Sequence, residues 1–183
     1  MRENALEHTK ETMVAFLRAF LTNYDNYKTV CATDFSGTAV FVESPYELRS
    51  WPMIVLSGGT GPMVTTGLSD LATEIYNEDH SSVIGYRYAG IYQFNIQVDL
   101  ACRTTVDRDR LIDLVTLAYR LLLRRYLEVR GVLVTGMSYG AQTDTLYNTD
   151  KIYLATLTAS TWSQWYNDVP FLPLSDVVLN FNS

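Results

Sequence analysis

The five residues Gly136-Met-Ser-Tyr-Gly140 have the spacing of the G-x-S-x-G turn that holds the nucleophilic serine of many hydrolases. Such a serine requires a histidine base, and the chain has two histidines, His8 and His80. The turn also requires a helix directly after the serine, whereas the polar run 140–150 is typical of a loop. A serine hydrolase that uses Ser138 therefore stays an alternative, and we expect a protein without catalytic residues.

A glycine-rich turn, Ser57-Gly-Gly-Thr-Gly-Pro62, follows an apolar run, as in folds that present backbone N–H groups to phosphate. A phosphate-binding loop of the Walker type needs a lysine and an immediate helix, but neither Lys nor Arg occurs between Ser57 and Glu78. Nucleotide binding at residues 57–67 is thus a further alternative. We instead predict a mobile, nearly uncharged loop that becomes ordered only on assembly. Its candidate residues are Gly58, Gly59, Gly61 and Pro62.

Metal and cofactor sites are not indicated by the sequence. The two cysteines, Cys31 and Cys102, have no metal-ligand spacing, and the two histidines supply too few further ligands for zinc. We predict no metal and no cofactor.

The composition indicates a globular protein with one core. Of the 183 residues, 48% are hydrophobic and 19% are charged, and the formal net charge is −6. This charge argues against a dedicated nucleic-acid binder, because Lys and Arg supply most of such affinity. An acidic chain does suit a protein that lets DNA pass without binding it. No segment has the length and hydropathy of a membrane span or a signal peptide, so we expect a soluble protein made in the cytoplasm.

The elements that would position any site are predicted from residue periodicity. The sequence predicts an amphipathic helix over 3–22, with Lys10 on its polar side, and strands over 38–43 and 52–56. Residues 68–75 are ambiguous between a helix and a mobile loop. Residues 92–103 alternate strictly, which predicts a half-buried antiparallel strand, and 83–89 are interpreted as its hairpin partner.

A second helix is predicted over about 106–129, capped by a threonine at its start and ended by Gly131. Strands over 132–135 and 152–158 follow, separated by the polar loop. The predicted fold is α+β, a mostly antiparallel sheet with an N-terminal helix and one long helix packed on it. We expect a single domain over 1–162 and an extended C-terminal arm over 163–183. Residues 177–181 can pair as an added strand, in their own subunit or in the next one.

The second helix is apolar well beyond one face, which indicates that it is covered from two sides, the second cover being another subunit. Seven of the fourteen basic residues lie between positions 103 and 130. They are explained either by a solvated helix face with pairs such as Arg124 and Glu128, or by contacts to acidic neighbours. The candidate interface residues are Arg103, Arg108, Arg120, Arg124, Tyr119 and Tyr126. Thirteen tyrosines and three tryptophans suit either protein interfaces or an aromatic sheet surface.

This order of elements resembles the tail terminator, or tail completion, proteins of long-tailed bacteriophages and related phage neck proteins. The resemblance rests on the N-terminal helix, on Trp51-Pro-Met-Ile-Val-Leu56, and on the alternating strand that leads through Thr104-Thr-Val-Asp107 into a helix. A final pair of strands ending in Tyr153-Leu-Ala-Thr-Leu-Thr158 completes it, so that the resemblance covers about residues 5–160. Residues 163–183 are not covered.

The resemblance implies a structural virion protein that forms a ring, commonly a hexamer, at the head-proximal end of the tail. There it would end tail-tube growth and join the tail to the neck while DNA passes through the centre. The implied partners are copies of itself, tail-tube proteins, sheath proteins if the tail contracts, and neck or head-completion proteins. A head-completion or neck adaptor ring of different stoichiometry is the alternative. The family has no catalytic residues to transfer.

Overall fold

A computed structural model of the protein describes residues 5–43, 50–59, 63–64, 71–147 and 150–171. Within these residues the chain has an α+β fold with a mostly antiparallel sheet, as predicted. The helices are α1 (Ala5–Thr22), α2 (Thr105–Leu117) and α3 (Arg124–Val129). The strands are β1 (Ala39–Val42), β2 (Met53–Ser57), β3 (Met63–Val64), β4 (Leu71–Tyr76), β5 (Val83–Cys102), β6 (Val132–Tyr147) and β7 (Asp150–Pro170).

The seven strands form one sheet around the long antiparallel pair of β5 and β7. The strand order is β1-β2-β5-β7-β6, and β3 and β4 also pair with β5. Among the strand pairings of the described residues, only that of β1 with β2 is parallel. β5 and β7 stay in register from Gly85 opposite Pro170 to Cys102 opposite Tyr153. The two strands therefore extend along almost the whole length of the sheet.

The main hydrophobic core lies between α1, α2 and one face of the sheet, which we call the front face. Its sheet residues alternate along β5 and β7, as in Ile96, Val98 and Leu100 of β5 and Leu157 and Ala159 of β7. This alternation places every second side chain under the helices, as predicted for residues 92–103. The opposite, back face has a second, smaller cluster around Met53, Val55, Ala101 and Ile152.

Helix α1 confirms the predicted N-terminal helix but corrects its polar side. Met13, Leu17 and Leu21 are fully buried, as the periodicity predicts. Lys10, which we placed on the solvent side, is only 6% exposed. Its ammonium donates a hydrogen bond to Glu43 Oε1 at 2.9 Å, which compensates the charge that the fold buries.

The predicted second helix begins and ends as expected but is not one regular helix. The Thr104 hydroxyl caps α2 by accepting from the Asp107 N–H at 3.0 Å, and Gly131 follows the last turn with φ +73°. Between α2 and α3, residues 118–122 form π-helical turns, with a Leu123 N–H to Ala118 C=O bond of 2.7 Å. This interruption rotates the side chains after Tyr119 relative to those before it.

Two predictions for the region before residue 92 are wrong. Residues 71–76, which the sequence left between helix and loop, form β4, and residues 65–70 lie outside the described residues. Residues 83–89 are the first part of β5 itself and do not form a hairpin with residues 92–103. The hairpin partner of residues 83–88 is β4, paired antiparallel through Leu71 and Tyr88.

The predicted polar loop 140–150 is also wrong for most of its length. Residues 140–147 continue β6 and pair with β7 from Gln142 opposite Ala155 to Tyr147 opposite Asp150, and residues 148–149 lie outside the described residues. The proposed domain boundary at 162/163 falls inside β7, whose residues 163–170 pair with β5. Residues 172–183 lie outside the described residues.

Within the described residues, no helix has the length and hydropathy needed to cross a membrane.

Candidate functional site

Ser138 lies in the middle of β6, opposite Thr158 of β7. Gly136 and Gly140 belong to the same strand, so the G-x-S-x-G pentapeptide is extended and is followed by more strand instead of a helix. His8 contacts the Arg130 carbonyl, and His80 sits in the turn between β4 and β5. No hydrogen bond in the described part of the chain joins Ser138 to either histidine. The strand geometry does not match the strained turn that exposes a nucleophilic serine.

The glycine-rich turn begins in the left-handed region, with φ +66° at Gly58 and +113° at Gly59. A Cβ on Gly59 would collide with the Leu6 side chain of α1 and lie 3.2 Å from Ile96 Cδ1. Glycine is therefore favoured at position 59 by its positive φ, and any larger residue would also have to displace the Leu6 side chain. Gly61 and Pro62 lie outside the described residues, so the predicted mobile loop stays a prediction.

Titratable side chains on the back face form hydrogen bonds within the sheet. Asp99 accepts from Gln97 Nε2 at 2.9 Å and from Thr156 Oγ1 at 2.8 Å.

Burial raises the pKa of the Cys102 thiol to about 12, so this sulfur is protonated at neutral pH and weakly reactive. Among the residues with described side chains, no group of three or more His, Cys, Asp or Glu is arranged to hold a metal ion.

The predicted interface residues are distributed over three environments. Near the start of α2, Arg103 is 3.7 Å from Asp150, and Arg108 pairs with Asp109 at 2.7 Å. Arg124 pairs with Glu128 at 2.8 Å, which is the i,i+4 pair that the solvated-face interpretation expects. Arg120 is exposed in the π-helical segment. Both charged contacts and a solvated face remain open for these arginines.

Tyr119 corrects the predicted interface set. It is fully buried in the core, and its hydroxyl donates to the Met13 carbonyl at 3.1 Å, which ties the π-helical segment to α1. Burial also raises the pKa of this hydroxyl, so it stays a hydrogen-bond donor. Tyr119 therefore offers no surface to a neighbouring subunit in this fold.

Side chains at the end of the π-helical turns and in α3 form an exposed apolar surface, which we call the helical patch. Leu121 is 66% exposed, Tyr126 60% and Val129 81%. The Tyr126 ring contacts Phe16 of α1 with centroids 6.0 Å apart. Beside it lies an open groove of about 420 Å³ that Phe16, Phe20, Leu122, Leu123 and Tyr126 help to line. Exposed apolar clusters of this kind mark interaction sites in soluble proteins.

A second exposed surface is formed where β5 and β7 extend past the helices. We call this extension the arm: β4, residues 83–91 of β5 and residues 164–171 at the end of β7. None of its described side chains belongs to either hydrophobic cluster. Cross-strand contacts hold it together, including Tyr86 with Phe171 at 4.9 Å and the ion pair of Arg87 with Asp168 at 2.6 Å.

The third surface is the C-terminal part of β6. Residues 138–147 are exposed on both faces, in contrast to Val132 and Val134 at the start of the strand. β6 is the last strand of the sheet and pairs only with β7 among the described residues. The outer hydrogen-bonding edge of this segment is therefore open within the described chain, and we call it the β6 edge.

Sequence reasoning identified part of the helical patch through Tyr126 and the strand character of residues 83–89, but it missed the pairing that builds the arm, and it missed the β6 edge. Tyr86, Tyr88 and Tyr92 recur at every second or fourth position, which is a signal for one side of a strand. The β6 edge carries no such signal, because a strand exposed on both faces needs no alternation of apolar and polar residues.

No model of a known protein family matches this chain, and no curated protein matches its sequence at a significant level.

Proposed function

We propose that this chain is a structural virion protein that assembles into a ring, of six copies by the resemblance, at the head-proximal end of a phage tail. The ring ends growth of the tail tube and joins the tail to the neck while DNA passes through its centre. The observation that carries the proposal is the presence of different exposed surfaces on one protomer: the helical patch, the arm and the β6 edge. A closed ring needs such a pair of unlike surfaces, because each subunit contacts its two neighbours through different patches.

Two further properties support this proposal, one for the passage of DNA and one for the contact with neighbouring tail or neck proteins. The net charge of −6 disfavours binding to phosphate, so DNA would not be retained in the channel. The long strands β5 and β7 extend beyond the helices, which gives the subunit an arm that reaches toward tail-tube or neck proteins. The place of the protein is then the tail–neck junction of the virion.

The ring is tested by mass measurement of the purified chain, with a matched pair of variants. Val129→Asp places a carboxylate in the helical patch, and Val30→Asp makes the same change at another exposed valine, 52% exposed. Burial of an unpaired charge is costly, so we expect Val129→Asp to weaken self-association by about tenfold or more. Val30→Asp should assemble as the parent chain does. A parent chain that stays monomeric, also with tail tubes present, contradicts the ring.

The position at the tail end is tested by electron microscopy of tails from a phage that lacks this protein. If the protein is a tail terminator, its absence should give tubes of uncontrolled length that do not join heads. Tubes of normal length that still join heads contradict the proposal. Tubes of normal length beside heads that cannot accept them favour the head-completion adaptor instead.

A further inference from the structure

The two outer strands of the sheet differ in how their free edges are covered. At one side β1 is short, and the Arg18 guanidinium donates to the outward carbonyl of Val40. At the other side β6 has sixteen residues, and in the described chain nothing pairs with its outer edge. Open edges of this length are sites for strand addition, which proteins block when they are not used.

The β6 edge has a register shift against β7 between Tyr139 and Gln142 but otherwise lacks the features that normally block such pairing. Residues 138–147 include no proline, and their one charged residue, Asp144, is paired with Lys151 of β7 at 2.5 Å. Exposed apolar side chains lie on this segment, and Tyr139 and Leu146 are among the most exposed large apolar side chains of the described residues. The segment therefore has the character of a sheet position whose neighbour is missing from the isolated chain.

One segment of this chain has the sequence of the missing neighbour. Residues 177–181, Val-Val-Leu-Asn-Phe, are β-branched or aromatic at most positions and carry no charge. In a strand, Val177, Leu179 and Phe181 would share one face, and Val178 and Asn180 would lie on the other. An uncharged strand also avoids repulsion from the acidic chain.

Chain reach decides between the two subunits that could receive this strand. The described chain ends at Phe171, whose N–H donates to the Ile84 carbonyl at the far end of the arm. Ser138, through Thr158, lies level with Gln97 of β5, about 13 residues away or roughly 43 Å along the strand. From Phe171 to Phe181 the chain spans ten residues, at most roughly 36 Å. Residues 177–181 of a chain thus fall short of its own β6 edge.

We propose that residues 177–181 of one copy add as a strand to the β6 edge, residues 138–147, of a neighbouring copy. The interaction rests on the self-assembly proposed above and specifies one of its contacts. Main-chain hydrogen bonds supply the affinity, and Val177, Leu179 and Phe181 cover apolar side chains such as Tyr139 or Leu146. The arm then carries the donor strand away from its own core toward the next subunit.

Hydrogen exchange on the full-length assembled protein tests this pairing. Leu179→Pro removes a backbone donor and cannot sit inside a ladder, whereas Leu179→Ile keeps the strand propensity. We expect amides of residues 138–147 to exchange at least about tenfold faster in Leu179→Pro than in the parent chain, with residues 94–102 unchanged. Leu179→Ile should match the parent. Equal exchange of residues 138–147 in the Leu179→Pro and parent assemblies overturns the proposal.

Cross-linking of two mixed full-length variants tests that the contact is between copies. Thr143→Cys and Leu179→Cys are mixed with a bis-maleimide, and the native Cys31 and Cys102 are buried. We expect covalent dimers that contain one copy of each variant. Ser36→Cys, at an exposed site elsewhere, replaces Thr143→Cys as the control and should give none. Dimers of Thr143→Cys with itself alone would show that two β6 edges pair, and would overturn the proposal.

The mass of the assembled parent chain distinguishes failure of the strand-addition proposal from failure of the ring proposal. A parent chain that assembles but shows neither the exchange effect nor the mixed dimer overturns the strand addition and leaves the ring. A monomeric parent chain contradicts both.

Discussion

Two halves of one strand differ in what covers them. Residues 94–102 of β5 lie under α1 and α2, and their front-face side chains are buried, with Ile96 and Val98 fully inaccessible. Residues 83–91 of the same strand belong to the arm, where Ile84 is 45% exposed. Both halves pair with β7 in an unbroken register. The hydrogen-bonded ladder is thus the same, and the difference lies in burial.

This comparison shows that a regular ladder sets the geometry of a strand but not its stability. Apolar burial contributes roughly 25 cal/mol per Å² removed from water, and the arm has little of it. Its cohesion comes from cross-strand aromatic pairs such as Tyr86 with Phe171, each worth about 0.2–1 kcal/mol. The arm is therefore suited to gain stability from a partner, whereas the core half of β5 already has its apolar side chains buried under the helices.

The largest expected effect comes from one substitution made in both halves. Ile96→Ala deletes a fully buried side chain and should lower the free energy of unfolding by about 2–5 kcal/mol. Ile84→Ala removes the same atoms from an exposed site and should lower it by less than about 1 kcal/mol. Urea denaturation followed by circular dichroism measures both.

If the arm contacts a partner, the order of the two substitutions should reverse when assembly is measured instead of stability. Ile84→Ala should weaken self-association or binding to tail tubes while Ile96→Ala, where still folded, should not. An Ile84→Ala chain that is destabilised as much as Ile96→Ala would show that the arm belongs to the same cooperative core, and would remove the distinction between the halves.

The sequence predicted the core half of β5 and not the arm, for a physical reason. Cover on one face forces alternation of apolar and polar side chains, so residues 92–103 could be assigned with their faces. The arm has no such cover, and its two glycines, Gly85 and Gly90, interrupt the pattern, so that residues 83–89 were assigned to a separate strand. They are needed because backbone or ring atoms of β7 lie close: Val169 O is 2.7 Å from the Cβ position of Gly85.

The same reasoning explains the other successes and failures. The ends of the second helix were predicted from local chemistry, since Thr104 and Gly131 act within one turn. The burial of Lys10 and Tyr119 depends on Glu43 and Met13, which are distant in sequence. Strand formation over residues 140–147 depends on pairing with β7, and no local pattern reveals it. Local capping signals were thus predictable, and contacts between distant residues were not.

A smaller effect should come from testing how tightly the arm itself is packed. At Gly90 an added Cβ would lie 2.5 Å from Trp165 Nε1, so Gly90→Ala must displace the indole. We expect a loss of about 1–3 kcal/mol, confined to the arm, since overpacking has a cost of this size. Gly136→Ala in β6 is the matched control, because its nearest atom, Ser160 Cβ, is 3.9 Å away.

Hydrogen exchange resolved by peptide locates the change. Faster exchange in residues 83–91 and 164–170, with residues 94–102 unaffected, indicates that the arm opens separately from the core. Exchange that rises equally in both segments would mean that the two halves open together. If Gly90→Ala changes exchange nowhere, Trp165 has room to move. The arm is then held more loosely than its aromatic side-chain contacts suggest.

The smallest expected effect is a dependence of the arm on pH. The hydrogen bond from the Arg87 guanidinium lowers the pKa of the Asp168 carboxyl below its ordinary value near 4. Because the pKa is lower in the folded chain, the ion pair stabilises the arm above that ordinary value and is lost as the pH falls through the lowered one. We expect the protection of amides near 87 and 168, corrected for intrinsic exchange, to fall in acid before that of residues 96–100. Asp168→Asn should abolish this difference and leave the core amides as they are. Arm amides that keep their protection in acid, or an Asp168→Asn chain with the parent profile, would show that the aromatic contacts alone hold the arm.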